Sequence, residues 1–295
     1  MRTLPDILVL AAGGILGEAW MSGVLAGIED AHGVDFRDVE TFVGTSAGSI
    51  VSAHLAGGGR PRRPRGGEAG GDPGLVEDVP GGSPAGDLIG NVARAMAAPL
   101  AAPTLALGAP AGALLRRAAL AALPEGRRHL GHLHAEVVRS GVRFDGRLRV
   151  CCVDRGSGRR VVFGAPGAPR AEVADAVVAS CAIPSVFRPV RIDGRSYVDG
   201  GVWSLTNLDA APAGRGSEVL CLHPSGSGGS ALGALRAAAA AGAELEALAL
   251  RARGAHVRIV GPSRAAGQLM GMNLMDPRPA RRVHAAGYRQ GRELA

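Results

Sequence analysis

Ser46 stands in the run Gly44-Thr45-Ser46-Ala47-Gly48, after an apolar stretch and before residues with helical spacing. A serine on a sharp strand-to-helix turn suits nucleophilic attack on an acyl carbon. Its backbone is strained, only small neighbours fit around it, and the helix start behind it favours developing negative charge. A serine in this place also reads as an ordinary helix N-cap; the order strand, elbow, helix favours the nucleophile. The attacked carbonyl would need hydrogen-bond donors for its oxygen, and Ala12-Gly13-Gly14-Ile15-Leu16-Gly17 supplies a loop whose Gly13, Gly14 and Ile15 amides could face Ser46. A nucleotide loop is the competing reading, but that pattern needs glycine where Ala12 stands, and the chain contains no lysine to hold a phosphate. The third group is Asp199, followed by Gly200 and Gly201 after the apolar pair Tyr197-Val198. A carboxylate there can lean over a serine and take its proton. Asp-Gly is equally a turn composition, as at Asp193-Gly194.

These groups need elements to hold them. Residues 7–10 form a short apolar run ending in the glycine loop, followed by Trp20, Val24, Leu25 and Ile28 at helical spacing. Residues 39–43 and 47–55 repeat the unit, now with Ser46 at the turn. Two successive βα units predict an α/β fold: three layers, α/β/α, around a mainly parallel sheet, with both loops at one sheet edge. Further strands are expected at 148–153, 160–163, 218–222 and 256–260, and helices at 172–180, 232–253 and the arginine-rich C-terminus. The whole of residues 1–295 reads as one catalytic domain. Within it, residues 57–84 turn to Gly, Pro, Arg and acidic residues and read as a flexible insertion. Residues 87–138 read as proline-broken helices placed to act as a lid. Residues 95–115 carry no charge, but Pro99, Pro103 and Pro110 argue for a surface-seeking lid rather than a membrane span.

Composition narrows the partners. The formal charge is +7, all of its basic side chains arginine, with no helix-turn-helix, zinc or RNA-binding aromatic signature. Nucleic acid is therefore not expected; a lipid or ester substrate is, with peripheral contact to an anionic membrane surface as the use of the charge. Cys151, Cys152, Cys181 and Cys221 lack metal-ligand spacing and read as buried reduced thiols, which suits a cytoplasmic location. His129, His132 and His134 read as surface residues, so no metal or organic cofactor is expected.

A fourth block, Ala179-Ser180-Cys181-Ala182-Ile183-Pro184, joins the three above, and together they resemble the patatin-like phospholipase family in order and spacing. The resemblance implies a lipid acyl hydrolase, a Ser46-Asp199 dyad and an oxyanion loop at Gly13, Gly14 and Ile15, with Gly17, Gly44, Gly48, Gly200 and Gly201 supporting the turns. It departs at Ala11, Ala12 and Leu16, where the family's loop often has an aspartate, a third glycine and an arginine. Two alternatives stay open: an α/β-hydrolase triad of Ser46, Asp199 and His223 or His256, and a lipid-binding protein without catalysis.

Overall fold

The computed structural model describes residues 4–64, 109–225 and 233–294. At its centre five strands run parallel in the order β8 (His256–Val260), β7 (Glu218–Leu222), β1 (Ile7–Leu10), β2 (Thr41–Thr45) and β3 (Leu148–Asp154). Three strands joined by antiparallel pairing complete the sheet: β4 (Arg160–Phe163) and β6 (Arg195–Asp199) pair with β3, and β5 (Val190–Ile192) pairs with β6.

Strand residues alternate between two apolar layers, as side-chain period two requires. Leu8 and Leu10 of β1 face one core, and Ile7 and Val9 face the other. The first core is covered by α1 (Gly14–His32), α2 (Ala47–Ala56), α4 (Gly131–Ser140), α5 (Val173–Ser180) and α8 (Ala280–Glu293). On the second face lie α6 (Gly233–Arg251), through Ala247 and Leu250, and α3 (Ala109–Ala122), through Leu120 against Val153, Val198 and Val202. The fold is the three-layer α/β/α arrangement around a mainly parallel sheet. A helix absent from the sequence reading, α7 (Arg264–Met270), starts at Ser263, whose hydroxyl accepts from the Ala266 amide.

Of the stretch expected to be a flexible insertion, residues 57–64 are described, and they are pinned along α1. Arg63 pairs with Glu29 and Asp30, Arg60 with Asp35, and Pro61 is buried. Residues 65–84 lie outside the described residues. So do 87–108 of the expected lid; its remainder, α3 and the start of α4, is packed into the body by Leu120, Leu133 and Val137. Among the described residues no helix is long and apolar enough to cross a membrane.

Candidate active site

The sheet register itself brings the serine and the aspartate together. Thr45, the last residue of β2, stands opposite Cys151 of β3, and Asp199, the last residue of β6, stands opposite Cys152. β2 and β6 run in opposite directions and so end against each other on neighbouring residues of β3, leaving Ser46 and Asp199 face to face. The β5–β6 hairpin that delivers Asp199 turns at Asp193 and Gly194, both with positive φ, the geometry of a tight two-residue hairpin.

Ser46 adopts φ 52° and ψ −125°, a conformation that costs a non-glycine residue strain and is kept only where surroundings enforce it. Ser180 provides part of that enforcement. Its hydroxyl accepts the Ser46 amide at 2.9 Å and donates to the Cys151 carbonyl at 2.7 Å. Two residues on, the Ala182 carbonyl accepts the Asp199 amide at 3.0 Å. The segment ending α5 thus holds both halves of the pair. Gly48 permits the elbow to sit where it does, since a methyl there would lie 1.9 Å from the Leu10 carbonyl oxygen.

Both groups are nearly dry: Ser46 is 8% exposed and Asp199 6%. Burial pushes the Asp199 carboxyl up to about 6, although the Gly201 amide donates to Oδ1 at 2.7 Å and the nearby Ser46 side chain also favours the ionised form. A carboxylate poised near neutral pH beside a serine hydroxyl can act as its base.

The glycine loop emerges one strand away. Its amides at Ala11 and Ala12 are taken by the Leu222 and Leu205 carbonyls, and that of Leu16 by Leu274. Among the described residues no acceptor takes the amides of Gly13, Gly14 and Ile15. Those three open a helix, whose first amides are left unpaired by geometry and attract negative charge. Gly14 has φ 60°, and a side chain on it would collide with Met275 and Leu274. A Cβ on Gly201 would lie 3.7 Å from Ala12, so the aspartate turn and the glycine loop adjoin. Leu16, at the position of the family's arginine, is fully buried; backbone bonds to Leu205 and Leu274 brace this loop instead. Gly17 packs on Pro224, Gly44 on Ser49, and Gly200 on Cys151 and Thr45.

The histidines take other places. His256 begins β8, at the sheet edge opposite Ser46, and pairs with Glu218. His223 lies at the same edge as Ser46 but beyond β7, two strands from β2. It is 1% exposed, and neither ring nitrogen has a hydrogen-bond partner of good geometry among the described residues. His134 pairs with Asp175 at 3.1 Å. Among the described residues no group of three or more His, Cys, Asp or Glu side chains could hold a metal ion. All four cysteines are buried and free.

Sequence reading singled out none of Ser180, Asn207 or Glu246 for a role of its own, yet all three support the site. Ser180 carried a signal in the block around it. Glu246 carried a weaker one: on α6 it falls on the buried face with Ala243, Ala247 and Leu250, where it accepts from the Thr206 hydroxyl and the Leu208 amide. Asn207 had no signal beyond lying eight residues after Asp199.

The family model for patatin-like phospholipase matches residues 8–212. Among solved structures the chain is similar to the crystal structure of VipD from Legionella pneumophila, at 14% identity and a TM-score of 0.43, over 99% of this chain and 67% of that one. No curated protein matches the chain.

Proposed function

Because the chain belongs to the patatin-like phospholipase family, and so among lipid acyl hydrolases, we propose that it cleaves carboxylic esters of lipids by acyl transfer through Ser46. Asp199 takes the Ser46 hydroxyl proton as the oxygen attacks the ester carbonyl. The amides of Gly13, Gly14 and Ile15 receive the charge that forms on the carbonyl oxygen. The Ser46 amide is already committed to Ser180, so the donors must come from the glycine loop and the start of α2. Collapse breaks the ester bond, and the departing alcohol leaves with the proton from Asp199. Water then repeats the sequence on the acyl-serine, with Asp199 again as base, and frees the fatty acid. No step calls for a metal or an organic cofactor.

The observation that carries this reading is the meeting of β2 and β6 on β3, which sets a strained serine against a buried carboxylate with no histidine between them. A triad would need His223 or His256 in contact with the pair, and a binding protein would have no use for the strain at Ser46. The net charge of +7 supports peripheral attraction to anionic lipid surfaces as the route to substrate.

Hydrolysis of p-nitrophenyl esters of graded chain length, by the wild type and Ser46→Ala, tests the proposal. Ester cleavage that survives Ser46→Ala above about a tenth of the wild-type rate would remove Ser46 from its role; loss to background in a protein of unchanged circular dichroism is the expected result.

A further inference from the structure

Asn207 is fully buried, has φ 47°, and among the described residues its side-chain nitrogen bonds neither member of the dyad. Its side-chain nitrogen nevertheless reaches both of their neighbours. Nδ2 donates to the Thr45 hydroxyl at 3.1 Å, the residue before Ser46, and to the Gly200 carbonyl at 3.3 Å, the residue after Asp199; the Ser204 carbonyl shares it at 2.6 Å.

The Gly200 contact has a consequence through the peptide plane. The Gly200 carbonyl and the Gly201 amide belong to one rigid peptide unit. Asn207 holds its oxygen end together with the Trp203 and Ser204 amides, and its N–H end donates to Asp199 Oδ1 at 2.7 Å. Fixing one end of a planar group fixes the aim of the other, and bonds arranged in series polarise one another. The amide of Asn207 is itself set by charge, because Arg160 donates to its Oδ1 at 3.2 Å while pairing with Asp209 at 2.8 Å. With the oxygen engaged by a guanidinium, the nitrogen must face Thr45 and Gly200. Glu246 closes the turn from the other side through Thr206 and Leu208.

We propose that Asn207 is a positioning residue for the dyad: it fixes the end of β2 that carries Ser46 and aims the Gly200–Gly201 peptide at the Asp199 carboxylate. The inference rests on the Ser46-Asp199 reading above. It separates two effects. The Thr45 arm sets the approach of the nucleophile, and the Gly200 arm sets the basicity of Asp199, because the Gly201 amide favours the ionised carboxylate. The titratable groups facing Asp199 are Cys152 from β3 and Cys181 after α5, both kept as neutral thiols by burial, so neither masks a change at Asp199 in the working pH range.

The experiment follows covalent labelling of Ser46 by a fluorophosphonate between pH 5 and pH 9, in the full chain, for the wild type, Asn207→Gly, Asn207→Asp and Thr45→Val. Glycine suits the positive φ, and aspartate keeps the oxygen that Arg160 holds while removing the donor. In Asn207→Gly the acid limb of the labelling rate is expected to move up by about one pH unit, as befits a lost or misdirected bond to a charged group. Its plateau should fall about tenfold, and Asn207→Asp should follow it. Thr45→Val, which keeps the shape of the side chain within β2, should lose rate at every pH with its acid limb unmoved, and this variant carries the test if the Asn207 variants do not fold. A wild-type limb and rate in folded Asn207→Gly, or in Thr45→Val, overturns the inference alone. Wild-type labelling that survives Ser46→Ala, or keeps its acid limb in Asp199→Asn, overturns the dyad and the inference with it.

Discussion

On the proposed mechanism, the burial of Asp199 sets activity against stability at one residue. Its carboxyl ionises near 6 when folded, against an ordinary value of 3.8. Between those pH values the folded chain holds a proton that the unfolded chain releases, so the site costs nothing below about pH 4 and its full penalty above about pH 6. Two pH units correspond to roughly 3 kcal/mol. Asp199→Asn should therefore raise the melting temperature at pH 8 and leave it nearly unchanged at pH 4, while lowering kcat/KM by about 10²- to 10⁴-fold. Equal melting temperatures at pH 8 would contradict the burial account. His223 works with the opposite sign. Burial pulls its imidazole down to about 4, a weak approach to the Ala239 backbone only partly offsetting it. The unfolded chain takes up a proton from about pH 6.5 and the folded chain does not until about 4, so stability should fall across that window, by about 3 kcal/mol in all. His223→Leu should flatten this acid loss without touching ester hydrolysis; a calorimetric pH series on the two proteins decides it. At this scale the sequence marked Ser46 and Asp199 as candidates, because small neighbours accompany a serine elbow and an Asp-Gly-Gly turn. It did not display Asn207 or the grip of Ser180 on Ser46, since bonds between residues 134 positions apart leave no local pattern.

Among the elements, α1 and α8 form the closest contact, lying parallel with glycines where they touch. A methyl on Gly27 would sit 2.2 Å from the Tyr288 carbonyl oxygen, and one on Gly291 2.1 Å from that of Val24. Since α1 opens with the glycine loop, and residues 274 and 275, which brace that loop, lead into α8, this contact also sets the loop's position. Gly291→Ala should cost about 1–3 kcal/mol by overpacking, offset in part by alanine's better helix propensity of up to about 1 kcal/mol. It should also lower kcat more than it raises KM, as expected when the proposed oxyanion donors shift. A variant as stable and active as the wild type would show that the loop does not depend on the contact. The expected strands and long helices match the observed ones closely, because buried parallel strands are continuous apolar runs and α1, α2 and α6 carry clear helical spacing. The short α7 was hidden, its seven residues being too few to show a period.

For the whole molecule, the order of βα units announced a parallel three-layer fold, but not how the antiparallel β6 would meet β2 on β3, since strand pairing between distant segments follows from packing. That meeting is what the proposed two-residue mechanism rests on. The most direct test is kcat/KM on one soluble ester for Asp199→Asn, His223→Ala and His256→Ala, each verified as folded by circular dichroism. A dyad predicts a loss of about 10²- to 10⁴-fold for Asp199→Asn and less than about threefold for either histidine variant. A collapse of activity in folded His223→Ala or His256→Ala, equal to or greater than that of Asp199→Asn, would contradict it.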